Sequence, residues 1–114
     1  MNGKRYIILF AFFCSALIVI FLISGRVQAV TFTVNSVLDT ADSSLNGVCD
    51  DGLGNCTLRG AIQEANNASG TSAVTISFSI ATSGINTITP SGTLQTIIRT
   101  NVTIDGSTQT GASC

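Results

Sequence analysis

The sequence predicts an all-β fold in which a short N-terminal cap precedes the first turn of a parallel β-helix. Three observations predict it. Apolar and polar residues alternate in four segments bounded by Gly, Ser, Asn or Pro, the period-two signature of half-buried strands. Val74-Thr75-Ile76-Ser77 recurs as Val102-Thr103-Ile104-Asp105, a weak repeat of the kind expected when a strand stacks on its counterpart in the next solenoid turn. Finally, the stretch from Cys49 to Asn66 joins a tight two-cysteine loop to a capped amphipathic helix, which reads as a structural cap and not as a catalytic centre.

The first element is an address. Lys4 and Arg5 precede an apolar run from Ile7 to Ile23 interrupted by Ser15, and Gly25-Arg26-Val27-Gln28-Ala29 follows. This order of charged, apolar and small-residue regions is that of a secretory signal peptide, with cleavage expected after Ala29. The alternative is an uncleaved anchor in the inner membrane, because the run matches the shortest spanning helices. Cys14 lies inside the run and reads as a small hydrophobe.

Residues 30 to 114 carry all six acidic side chains, Asp39, Asp42, Asp50, Asp51, Glu64 and Asp105, against only Arg59 and Arg99. A lysine-free acidic segment of this kind is a poor partner for nucleic acid. Thr, Ser, Asn, Gly, Val and Ile dominate this part, which has no Trp or His and one Pro, a β-rich extracellular composition. It is short enough that one core needs staples or partners.

The strands are expected at Val30 to Val34, at Val74 to Ile80, at Thr87 to Thr89 with Leu94 to Ile98, and at Val102 to Asp105. In the second, Val74, Ile76, Phe78 and Ile80 share one face while Thr75, Ser77 and Ser79 share the other. The second and third groups would make the strands of one turn, and Val102 would begin the next. Such a stack generally needs about three turns, so the chain is expected to continue beyond Cys114. The one helix signal spans Thr57 to Asn67, where Leu58, Ala61, Ile62 and Ala65 fall on one face. Thr57 is a suitable N-cap, and Asn67 to Gly70 suit a helix end.

Cys49 and Cys56 flank a loop containing Gly52 and Gly54, flexible enough to bring the sulfurs together, and an exported chain meets an oxidising compartment. A Cys49–Cys56 disulfide is therefore expected. Zinc would need further ligands, and residues 30 to 114 supply only Cys114 and no histidine. Asp50, Asp51 and Asn55 are expected to form a solvated acidic turn, with calcium as the alternative, although the spacing fits no EF-hand loop.

Cys56-Thr57-Leu58-Arg59-Gly60-Ala61-Ile62-Gln63-Glu64-Ala65-Asn66, with Thr31 to Asn35 before it and Ile76 to Phe78, Ile88 to Pro90 and Val102 to Gln109 after it, is similar to the CSLREA domain family. That resemblance covers residues 30 to 114. It implies the N-terminal region of a large exported bacterial protein with a right-handed parallel β-helix body. Thr57 stands where the family usually has Ser and keeps the capping hydroxyl. Gly60 stands where Glu or Ala is common, which weakens the first turn by about 1 kcal/mol relative to Ala and removes a capping-box acid.

In a cap of this kind, Thr57, Leu58, Arg59, Ala61, Ile62, Glu64 and Ala65 are the structural residues. Leu58, Ile62 and Ala65 would cover the open end while Gln63, Asn66 and Asn67 face water. Arg59 and Glu64 are not on one helical stripe, so each is expected to meet a loop carboxylate or backbone group. No catalytic constellation stands out: there is no histidine base, no Gly-x-Ser-x-Gly elbow and no Gly-Lys phosphate loop. The expected function is a non-catalytic capping module of an exported, surface-associated protein, touching its own continuation and extracellular carbohydrate or cell-surface components. The alternatives are the N-terminal part of a β-helix polysaccharide lyase or glycoside hydrolase, and a small disulfide-stabilised secreted protein.

Overall fold

The computed structural model describes residues 28–70 and 72–113. The leader expected over residues 1 to 29 lies almost wholly outside them, as does Cys114.

Three strands, β1 (Val30–Val34), β2 (Val74–Phe78) and β3 (Val102–Asp105), form one parallel sheet in the order β1-β2-β3. The helix α1 (Leu58–Asn67) lies in the crossover from β1 to β2, and one 3₁₀ turn, Gly106–Thr108, follows β3. The Val-Thr-Ile repeat becomes ladder register: Val74 pairs with Val102, Thr75 with Thr103 and Ile76 with Ile104. β1 joins in the same phase, with Val30 opposite Val74 and Phe32 opposite Ile76.

Each strand's alternation then sorts its side chains. Phe32, Val34, Val74 and Ile76 are buried together with Ile80, and α1 adds Ala61, Ile62 and Ala65 to the same core. Ile76, at 0 % exposure, is the central member; burying a side chain of that size contributes about 1.5–3 kcal/mol. On the opposite face Thr33 and Ser77 share a hydroxyl hydrogen bond of 3.0 Å, so the central strand buries a polar residue without leaving it unsatisfied.

Among the described residues the expected β-helix turn is not present, and the α-helix makes the chain not all-β. Among the described residues there is one three-stranded parallel sheet, one α-helix and one disulfide, a small α/β arrangement. Thr87 to Thr89 and Leu94 to Ile98 are irregular, although Ile88, Leu94 and Ile97 still pack against the core. The reason lies in the partner. Leu94 to Ile98 runs beside α1 and not beside a strand, and Asn66 supplies what a strand would: its Nδ2 donates to Thr96 O at 3.0 Å and its Oδ1 accepts from Ile98 N at 3.1 Å. Alternation marks a buried face, which a helix can cover without any ladder.

The same device recurs where the sheet stops. Gln109 Oε1 accepts from Ile80 N at 2.8 Å and its Nε2 donates to Ile80 O at 3.0 Å. Asn35 Oδ1 accepts from Cys56 N at 2.8 Å while Asn35 N donates to Cys56 O at 3.0 Å. Primary amide side chains thus stand in for peptide groups and satisfy backbone that has left the ladder.

Candidate functional site

The loop from Asn35 to Thr57 folds onto the start of α1 and is held there by side-chain bonds and a disulfide. Thr57, only 1 % exposed, caps the helix: its Oγ1 accepts from Gly60 N at 3.0 Å and donates to Thr40 O at 2.6 Å. The hydroxyl therefore ties one loop strand to one of the helix's orphan amides. Cys49 and Cys56 form the disulfide, with Cα atoms 5.0 Å apart. Cys56 is buried at 5 % exposure, so the bridge is part of the core and holds the loop against the N-terminus of α1. A Cβ on Gly60 would lie 3.4 Å from Thr57 Oγ1, 3.5 Å from Asp42 N and 3.5 Å from Cys49 Sγ, so the loop rests directly on this glycine.

Of the cap residues singled out by sequence, Thr57, Ala61, Ile62, Glu64 and Ala65 are buried, and Leu58 and Arg59 are partly buried. Glu64 is fully buried: Oε1 accepts from Asn46 N at 2.8 Å and Oε2 from Gly47 N at 3.0 Å. One carboxylate thereby fixes two successive loop amides, as charge-assisted bonds can. Gln63 and Asn66 do not face water freely. Both are half-buried, and Gln63 Oε1 accepts from Asp42 N at 2.8 Å.

Arg59 and Asp39 form a two-pronged pair, Nε to Oδ1 at 3.0 Å and Nη2 to Oδ2 at 2.8 Å. The remaining donors of Arg59 reach Thr93 O at 3.0 Å and Gly92 O at 3.3 Å, while Asp39 Oδ2 also accepts from Ser91 N at 2.7 Å and Ser91 Oγ at 2.8 Å. This fork joins the loop, the helix and the segment before Leu94. The guanidinium, followed by the Ser91 amide and hydroxyl, holds the Asp39 carboxyl well below the usual carboxylate range, and Asp39 in turn raises the Arg59 pKa. Asp39 carried no motif; its only sequence signal was to be a loop acid upstream of a helix arginine.

The carboxylates of the acidic turn close on their own backbone. Asp50 Oδ1 accepts from Gly52 N at 2.8 Å and Gly54 N at 2.9 Å, and Asp51 Oδ1 accepts from Leu53 N at 2.9 Å and Asn55 N at 3.2 Å. Asp51 Oδ2 takes the Asn55 side-chain amide and the Thr40 hydroxyl, each at 3.0 Å. These bonds, the Asn55 side chain first, bring the Asp51 pKa down to about 2. Asp42 accepts from Ser44 N at 2.8 Å and Asp50 N at 2.9 Å. Short acidic side chains closing backbone turns two residues on are the local bonds that loops of this composition favour. Among the described residues, no three Cys, Asp or Glu side chains gather as a metal site.

Arg99 closes the other end of α1. Its guanidinium donates to Ala68 O, to Gly70 O at 3.1 Å and to Ser72 O at 3.0 Å, collecting carbonyls at and beyond the helix C-terminus where a cation is favoured. Among the described residues, an open cavity of about 270 Å³ is lined by Gly70, Ile98, Arg99, Thr100 and Asn101. Another, of about 440 Å³, lies between Gly84–Asn86 and Gln109–Ala112 and has no ionisable lining residue. Among the described residues, no helix is long and apolar enough to cross a membrane.

Compared with known proteins, the chain matches no family model, no curated protein and no solved structure.

Proposed function

We propose that the chain is an exported, non-catalytic structural and interaction module whose rigid disulfide loop and helix present a small β-sheet to extracellular carbohydrate. The observation that carries this reading is how the charged side chains are used. Asp39, Asp42, Asp50, Asp51 and Glu64 each accept hydrogen bonds from loop groups, and Arg59 and Arg99 donate to carbonyls or to Asp39. Groups spent on holding backbone are poorly placed to exchange protons with a substrate. The signal-like leader and the buried disulfide both suit an oxidising compartment.

The surface assigned to contact is the sheet face opposite the core, where Thr31 and Thr103 are exposed and Thr75 is half-buried. Thr31, Thr75 and Thr103 form one row in register across the three strands, with hydroxyls repeating at roughly the 4.8 Å ladder spacing. A row of hydroxyls on a stiff support offers donors and acceptors to sugar hydroxyls at little entropic cost.

The test is binding and turnover on the same panel of acidic and neutral polysaccharides with oxidised protein. Retention on at least one polymer, lost when Thr31, Thr75 and Thr103 are replaced together by Val and unaccompanied by chain cleavage, is the expected result. Depolymerisation abolished by a single Asp→Asn change would replace this reading with an enzymatic one.

A further inference from the structure

The apolar pattern of the sheet stops uncovered at the β3 edge, whereas at the β1 edge Phe32 and Val34 are buried. Its core-side rows read Val30, Val74, Val102 and then Phe32, Ile76, Ile104. Ile76, with a strand on each side, is 0 % exposed, whereas Ile104 on the edge is 48 % exposed. The row's last apolar member lacks the cover that its central member has.

The backbone is in matching phase at the two edges. Val30 N donates to Ala73 O at 2.9 Å and Val34 O accepts from Ser79 N at 2.8 Å, so Val30, Phe32 and Val34 aim their polar groups at β2. Strand alternation then turns those of Thr31 and Thr33 to the outer edge of β1. Val74 N donates to Asn101 O at 3.0 Å, so β3 meets β2 through Asn101, Thr103 and Asp105 and leaves the N–H and C=O of Val102 and Ile104 outward. A strand β1 laid beside β3 with Val30 opposite Val102 and Phe32 opposite Ile104 would bring Ile104 N–H to Thr31 C=O and Thr33 N–H to Ile104 C=O. Its apolar residues would stay on the core side, repeating the register of both existing ladders.

We propose that the outer edge of β3 accepts β1 of a second copy of this chain, giving head-to-tail parallel association. The chemistry is main-chain pairing for affinity and the Val-Thr-Phe/Ile phase for register. The devices that usually blunt an edge are missing from β3, which has no Pro or Lys. Its one charge, Asp105, turns back to bond Ser107 N at 3.0 Å and Ser107 Oγ at 2.6 Å. Because the donor and acceptor edges differ, the contact is heterologous and adds copies in an open series unless the rotation closes a ring. This goes beyond the carbohydrate-contact reading and stands on the ladder alone, so its failure would leave that reading intact.

The experiment is sedimentation velocity of the oxidised full chain over a concentration series in a mild non-ionic detergent, which disperses the apolar leader. Species of two and more copies growing with concentration are expected. Ile104→Pro and Thr31→Pro each remove an outward N–H or break the outer edge while sparing the bonds to β2, as proline at an edge strand can, and each chain alone should sediment as one copy. A one-to-one mixture of the two should form pairs and nothing longer, and Ile104→Lys should repeat the Ile104→Pro result without a proline. A wild-type chain that stays single at every concentration, association that survives both edge changes, or a mixture that fails to pair would each overturn the proposal.

Discussion

Replacing Gly60 with alanine should stabilise the oxidised protein. Gly60 is a buried helix residue whose φ lies outside the left-handed region, so alanine adopts its backbone without strain and gains about 1 kcal/mol of helix propensity. The new methyl would meet Thr57 Oγ1 at 3.4 Å, Asp42 N at 3.5 Å and Cys49 Sγ at 3.5 Å, all ordinary contact distances. It adds up to about 0.8 kcal/mol of apolar burial. The cap bond from Gly60 N to Thr57 Oγ1 at 3.0 Å does not involve the α-carbon substituent. A net gain of about 1 kcal/mol is expected, or roughly 4–8 °C in Tm for a domain of this size. Circular dichroism melts of oxidised Gly60→Ala and parent chains measure it directly. Gly60→Leu is the control: its added atoms have no space between the helix and the bridge, and overpacking should cost about 1–3 kcal/mol. A lower Tm for Gly60→Ala, or an unchanged Tm for Gly60→Leu, would refute the account of the loop seated on this residue.

Replacing Cys49 and Cys56 together by Ser should cost about 2.4 kcal/mol by the chain-entropy relation for so short a loop, read as a lower urea midpoint that reductant no longer shifts. Thr57→Ala should cost about 1–2 kcal/mol through loss of the N-cap, with Thr57→Ser recovering most of it in the same titration. The folded pKa values of Asp39 and Asp51 are depressed from 3.8, so their contribution is fully present above about pH 4. For Asp51 it is lost as the pH falls toward 2, and for Asp39 at lower pH still. Melts between pH 5 and pH 2 should therefore show falling stability, with a shallower slope in Asp39→Asn and Asp51→Asn; parallel slopes would count against this. Asn66→Ala should free residues 96–98, costing about 1 kcal/mol and speeding hydrogen exchange at the Ile98 amide.

The elements legible in the sequence were those whose signal is local. β1 and β2 alternate cleanly, Thr57 announces a helix start, and the repeated Val-Thr-Ile reappears as paired register. What could not be read was who partners whom. Leu94 to Ile98 alternates like a strand, yet its backbone bonds go to Asn66, a helix side chain that looked solvent-facing because polarity says nothing about what lies opposite. The Cys49–Cys56 bridge followed from spacing and from the lack of other ligands. The Asp39 fork joins residues far apart in sequence, and no periodicity reports such a contact. Glu64 is buried against two loop amides, although a helical glutamate is by default a surface residue.

The parallel sheet also has a kinetic meaning. Its two ladders join residues about 44 and about 28 positions apart, and loop-closure entropy separates those spans by only about 0.4 kcal/mol. Span therefore hardly decides which pairing nucleates. Preorganisation does: the first crossover carries a helix and a covalent bridge, and the second has neither before it docks. Assembly should begin with β1 finding β2 around the oxidised loop, and β3 should be the last strand to arrive and the first to fray. The amides of Thr103 and Asp105 would then exchange with solvent sooner than those of Thr75 and Ser77, leaving a nearly complete molecule that opens from one side only.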